Sequence, residues 1–116
     1  MLRVGILIII CLGVGNLKAQ TQLELNEAEA KNYQLKDAEL NKVYKKLVTM
    51  LKSKDKQLLL KSQRAWIAFR DSHCAFAASS YEGGSMQPSV HMGCLSELTE
   101  KRIIELKALI EDRSPK

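Results

Sequence analysis

Proline, cysteine and aromatic residues are all scarce in this chain of 116 residues, and each scarcity narrows what it can be. The only two prolines, Pro88 and Pro115, fall outside every periodic segment. With no ring clash or missing amide inside those segments, nothing in the sequence interrupts helices. One Trp, three Tyr and two Phe are the whole aromatic content. No aromatic stacking pattern accompanies the lysines as a single-strand binding surface requires, and no nucleic-acid partner is expected. Repeats, low-complexity tracts and internal linkers are also missing, so the chain is read as one domain. The longest apolar run, Val4–Val14, falls well short of the ~20 residues needed to cross a bilayer.

Constellations for catalysis are missing too. No pair of carboxylates is marked out for glycoside hydrolysis, and Ser72, Ser85 and Ser89 have no assigned base. The two histidines each lie near a cysteine, as His73-Cys74 and His91-x-x-Cys94. Neighbouring residues on a helix point about 100° apart, so His73 and Cys74 cannot easily share one metal. No catalytic residue, cofactor or metal is expected, and the chain is read as a binding protein rather than an enzyme.

What is present begins with a leader. Arg3 supplies a short basic start, Val4–Val14 an apolar run, and Gly15-Asn16-Leu17-Lys18-Ala19 a polar exit ending on a small residue. This is the pattern of a secretory signal cleaved after Ala19, placing the protein in the periplasm or outside the cell. Cys11 lies inside the apolar run behind three isoleucines, and is assigned to the discarded leader rather than to lipidation. Cleavage would leave residues 20–116, and the loss of Arg3 and Lys18 would lower the formal charge from +5 to +3. Two cysteines then remain, and an oxidising compartment joins Cys74 to Cys94.

Charge is unevenly placed. Gln20–Asn41 carries Glu24, Glu27, Glu29, Asp37 and Glu39 against Lys31 and Lys36, whereas Lys42–Lys61 carries seven lysines against Asp55. The helix macrodipole favours this polarity. A docking surface for an anionic partner is the alternative.

Apolar spacing predicts an all-α fold: a three-helix antiparallel bundle with one long N-terminal helix, stapled by one disulfide. Thr21-Gln22-Leu23-Glu24 has the form of a capping box. Behind it, Asn26, Ala30, Tyr33, Asp37, Leu40, Tyr44, Leu47 and Leu51 follow steps of four and three, a seam on one helix over Gln22–Lys52, about 45 Å long. Ser53 or Asp55 caps a second helix, with an inner face of Leu59, Gln63, Trp66, Arg70, His73 and Ala77, fraying near Ser79–Tyr81. Pro88-Ser89 precedes a third, with Leu95, Leu98, Arg102, Leu106 and Leu109 on its face.

Short connections make successive helices antiparallel, so residues equidistant from a turn face each other. Asp37 then lies opposite Arg70, Leu40 opposite Ile67 or Trp66, and Tyr44 opposite Gln63. Pairing of Cys74 with Cys94 brings Arg70 within one turn of Arg102. Asp37, Arg70 and Arg102 therefore form a predicted buried charge network. Its role is either to satisfy polar groups and fix register, or to hold a ligand carboxylate or phosphate on surplus positive charge.

Five blocks carry a family resemblance: Thr21-Gln22-x-Glu24-x-Asn26; Asp37-Ala38-Glu39-Leu40-Asn41-x-x-Tyr44; Gln63-Arg64-Ala65-Trp66-Ile67-x-Phe69-Arg70-Asp71-x-x-Cys74; Tyr81-Glu82-Gly83-Gly84-Ser85-Met86; and Cys94-Leu95-x-x-Leu98-Thr99-x-x-Arg102. In order and spacing they resemble the secreted LprI-type lysozyme inhibitor family across residues 20–116. Family members often carry an extra cysteine pair, near the mature start and at the position of Ala28. This chain has neither, which loosens its N-terminal segment. The resemblance implies a protein partner, a lysozyme-type muramidase.

Animal lysozymes are generally cationic, so a net charge of +3 gives no long-range steering, and a local acidic face such as Glu24, Glu27 and Glu29 would be needed. The segment Tyr81–Met92 is the candidate inserting loop, with Tyr81 and Met86 as anchors and Gly83, Gly84 and Ser85 between them allowing close approach. An ordinary helix connection is the alternative. A second function class also stands: a cell-envelope adaptor contacting anionic lipid or polymer through the face over Lys42–Lys61. Oligomeric state is not assigned.

Overall fold

A computed structural model describes residues 13–116; the basic start at Arg3, most of the apolar run and Cys11 lie outside the described residues. Three helices account for nearly all of it: α1 (Gly13–Thr49), α2 (Ser53–Ser79) and α3 (Gln87–Arg113). Among the described residues there is no strand, and no helix is long and apolar enough to cross a membrane. The bundle is all-α with a long first helix, as the periodicity implies, and Cys74 and Cys94 form the disulfide expected from the cysteine count.

Helix ends differ from expectation in instructive ways. α1 starts at Gly13 rather than Gln22, so Thr21 is an interior residue. Its hydroxyl donates to the Leu17 carbonyl at 2.8 Å instead of capping. A cap satisfies only the free amides of a first turn, and at Thr21 those amides already belong to the helix. Neither Ser53 nor Asp55 caps α2. Lys52 holds the cap position with extended backbone and no side-chain bond, and Asp55 sits in the first turn, where its charge suits the helix dipole. The turn between α1 and α2 is tightened by amides of Met50 and Leu51 bonding to the carbonyls of Leu47 and Val48. α3 begins at Gln87, earlier than expected, with Pro88 in the first turn where its missing amide costs nothing.

Contacts give the topology. Gln22 meets Ser89, Lys36 meets Glu100 and Glu39 meets Lys107, so α1 and α3 run parallel. Gln63 meets Arg102, Arg70 meets Thr99 and Cys74 bonds Cys94, so α2 is antiparallel to α3 in the expected register. α3 is the helix that packs against both others, while the backbones of α1 and α2 stay apart. They leave a groove of about 270 Å³ lined by Asp37, Leu40, Tyr44, Gln63, Ile67 and Arg70. Facing positions on α1 and α2 are thus as anticipated, but they meet across a groove rather than in a tight seam.

This two-sided role explains why the single inner stripe expected for α3 is incomplete. Ser96, Thr99 and Ile103 are buried along with Leu95 and Leu106, because each flank of α3 has a neighbour. On α2 the buried positions are Leu59, Gln63, Arg70, Cys74 and Ala78; His73 and Ala77 are not among them. The helical period of 3.6 carries the stripe onto Cys74, where the disulfide holds it. Leu40, Val43, Leu47, Leu59, Ile103 and Leu106 form the apolar core, with Tyr44, Val48, Leu51, Trp66, Leu109 and Ile110 packed around them. That core lies toward the α1–α2 turn, while the opposite end is held by the disulfide and polar bonds.

Candidate partner-binding site at the disulfide end

The connection between α2 and α3 is Ser80–Met86, shorter than the Tyr81–Met92 segment read from the sequence, because His91 and Met92 already belong to α3. Seven residues is an ordinary helix connection, so length no longer marks it as an insertion loop. Its conformation is closely determined. Amides of Tyr81, Glu82, Gly84 and Gln87 bond to the carbonyls of Ala78, Ser79, Tyr81 and Gly84, a chain of successive turns. Gly83 adopts φ of +76°, a left-handed backbone that L side chains rarely adopt. A Cβ on Gly84 would stand 3.2 Å from the Tyr81 carbonyl oxygen, so this turn also favours the smallest residue.

Both sides of the loop are tied down. The disulfide holds the Cα atoms of Cys74 and Cys94 5.5 Å apart near its base. From α1, Asn26 donates its side-chain amide to the Ser85 carbonyl at 3.2 Å. Gln22 donates to both Asn26 Oδ1 at 2.9 Å and Ser89 Oγ at 3.2 Å. The Ser89 hydroxyl in turn donates to the Met86 carbonyl. Asn26, a half-buried polar residue on the α1 seam, thereby finds its partners in the loop and in Gln22.

What this end presents to solvent is apolar and acidic. Tyr81 is 43% exposed and Met86 48%, although both are large hydrophobic side chains. On the last turns of α2, Phe76 is 77% exposed, one turn beyond a stacked Phe69–His73 pair. The 69–73–76 spacing is a helical one, and a search for aromatics off the buried stripe would have found it. Between Ser72 and Leu98, and between Ala19 and Ala30, there is no lysine or arginine, while Glu24, Glu27, Glu29, Glu82 and Glu97 supply negative charge. Glu29 reaches over Gly93 at the start of α3, which places the acidic part of α1 beside the loop.

The charge cluster divides into two. Arg70 is 6% exposed, and its Nε and NH2 atoms both lie 2.9 Å from Asp71 Oδ1, with Thr99 Oγ1 accepting at 3.4 Å. Asp37 stands 3.9 Å away and is half-exposed. Arg102 takes Glu105 as its charge partner, and bonds also to Gln63 and Ser62. The two guanidinium groups share Trp66, with centroid distances of 5.2 and 5.8 Å, and Arg70 also lies over Tyr33. Burial raises the Tyr33 phenol above its ordinary pKa, against the opposing pull of Arg70. Asp37, Asp71 and Glu105 outnumber Arg70 and Arg102, so no surplus positive charge is left for an anionic ligand. Asp71 and Glu105 were missed in sequence; Glu105 is three residues from Arg102, a spacing that marks helix neighbours.

His73 faces solvent and Cys74 is oxidised. Among the described residues no three His, Cys, Asp or Glu side chains converge for a metal.

Comparison with known proteins adds a family to this geometry. Residues 15–106 match the family model described as Lysozyme inhibitor LprI. An uncharacterized protein of Rhizobium meliloti (strain 1021) is 43% identical over 107 residues, which covers 81% of this chain and 77% of that protein. No solved structure matches the chain. With nearly all of the three-helix domain inside the matched span, this chain belongs to the LprI lysozyme inhibitor family.

Proposed function

We propose that this protein is exported after cleavage at Ala19 and acts as an inhibitor that binds a lysozyme-type muramidase, using the disulfide end of the bundle as its contact surface. The observation that carries this reading is the exposure of Tyr81 and Met86 on a loop restrained from both sides, by Cys74–Cys94 and by Asn26. A restrained loop loses little entropy on binding, so its anchors contribute most of their burial energy to the interface. Phe76 adds an exposed aromatic at the end of α2, and the exposed Glu24, Glu27 and Glu82 carry charge opposite to that of a cationic enzyme. The reading assigns no catalytic residue: inhibition follows from occupying the enzyme's cleft.

The test is a binding titration of the disulfide-bonded protein against muramidases of several classes, repeated with Tyr81→Ala/Met86→Ala. If each anchor is worth ~2 kcal/mol, the double variant binds on the order of a thousandfold more weakly. Its helicity and melting temperature stay close to the parent's, because neither side chain belongs to the core. Parent-like affinity in the double variant would exclude the loop, and a parent protein that binds no muramidase would end the inhibitor reading.

A further inference from the structure

The opposite end of the bundle carries a different surface. Lys42, Lys45 and Lys46 on the last turns of α1, Lys52 in the connection, and Lys54, Lys56 and Lys61 on the first turns of α2 are all exposed. The ion pairs of the described residues involve Lys36, Lys101, Lys107, Arg70 and Arg102 and none of these seven lysines. Asp55 is the single carboxylate in that stretch of sequence. A solvated helix face in a small domain normally mixes both signs; the carboxylates that the end of α3 brings here, Glu111 and Asp112, are matched by Arg113 and Lys116, so the lysines around the turn remain in excess.

Apolar side chains stand among the lysines. Leu58 is 57% exposed and Leu60 is 40% exposed, on the same first turns of α2. Leu58 borders a shallow pocket with Leu51, Leu59 and Leu109, so it continues the core outward instead of standing alone. An exposed leucine with exposed lysines on the neighbouring turns matches a bilayer interface, where ammonium groups meet anionic headgroups and leucines enter the acyl boundary. Nucleic acid fits less well, since the aromatics near this end, Tyr44 and Trp66, are half-buried and Trp66 is covered by two arginines. Polarity along the bundle then sets orientation. The end without lysine or arginine is repelled by an anionic surface while the lysine end is drawn to it.

We propose that the α1–α2 turn end of this protein docks on anionic phospholipid bilayers through Lys42, Lys45, Lys46, Lys52, Lys54 and Lys56, with Leu58 entering the interface. Docked this way, the bundle stands with Tyr81 and Met86 pointing away from the membrane. The proposal does not depend on the muramidase reading, and its test contains no muramidase.

Sedimentation of the purified, disulfide-bonded protein with phosphatidylcholine vesicles and with phosphatidylcholine–phosphatidylglycerol vesicles measures it directly. Binding is expected to the anionic vesicles alone, and to be lost at about 0.5 M salt. Each lysine near an anionic bilayer multiplies partitioning roughly fivefold, so Lys52→Gln/Lys54→Gln/Lys56→Gln should weaken it on the order of a hundredfold. Leu58→Ser should weaken it further, and Glu82→Gln at the far end should change nothing. All of these side chains are exposed, so circular dichroism should show parent-like folding in each variant. The proposal is overturned by equal binding of the triple variant, by equal binding to zwitterionic vesicles, or by loss of vesicle binding to millimolar inorganic phosphate at constant ionic strength. Binding to single-stranded DNA with none to vesicles overturns it as well.

Discussion

Arg70 is the residue whose neighbours decide how a charge is kept inside this small domain. Its guanidinium is almost wholly buried, yet the carboxylates that neutralise it, Asp71 and Asp37, both reach solvent. Such an arrangement avoids desolvating two charges at once, the usual penalty of a buried pair. The closer carboxylate is Asp71, so the role expected of Asp37 alone is shared. Asp71→Ala and Asp37→Ala should each cost roughly 1 kcal/mol, since each leaves Arg70 one carboxylate. Removal of both should cost more than the sum, because Thr99 is then the remaining polar partner. A double-mutant cycle by chemical denaturation measures this, and strict additivity would show that the carboxylates act independently.

Among the elements, α1 and α3 are joined by ion pairs as well as by the core. Lys36 pairs with Glu100, and Glu39 with Lys107 at 3.0 Å. The bond from Lys107 holds the Glu39 carboxyl below its ordinary pKa, and the bond to Glu100 holds Lys36 above its own. A depressed carboxylate stabilises the fold above its unfolded pKa, and that contribution is lost as pH falls through the lower folded value. A raised lysine stabilises below its unfolded pKa, and its contribution disappears as pH rises through the higher folded value. Melting temperatures of Glu39→Gln and the parent should therefore differ slightly at neutral pH and converge as acid protonates the Glu39 carboxyl, a small effect for exposed pairs. Elsewhere α2 and α3 depend on the disulfide, because the apolar core lies toward the other end. Closing a loop with a sequence separation of 20 stabilises by ~3 kcal/mol on the chain-entropy model. Cys94→Ala should then lower the melting temperature by about ten degrees, with fraying concentrated near Ser72–Cys94 in hydrogen exchange.

The whole molecule is electrically polar along its length: acidic around the disulfide loop, basic around the α1–α2 turn. A net charge of modest size conceals this, and local fields govern encounter with a partner. Replacing Glu24, Glu27 and Glu29 by Gln should slow association with a cationic muramidase roughly tenfold at low salt while leaving dissociation nearly unchanged. Stopped-flow rates at rising ionic strength should converge for the two proteins; a persistent gap would place the glutamates inside the interface. Much of this architecture was legible in the residues alone. Alternating steps of three and four along Leu40, Tyr44, Leu47 and Leu51, uninterrupted by proline, specify helix locally, and two cysteines related by an antiparallel turn specify the register of α2 on α3. Local periodicity could not say which helix lies against which. That choice belongs to α3, whose buried positions Leu95, Thr99, Ile103 and Leu106 pack against both other helices, while α1 and α2 leave a groove where a seam was expected. The cross-helix bonds of Arg70 to Thr99 and Asp37, those of Arg102 to Gln63 and Ser62, and the tie from Asn26 to the loop at Ser85 were likewise decided by tertiary packing. Each depends on the angle and spacing of neighbouring helices, quantities that no run of residues on one helix contains.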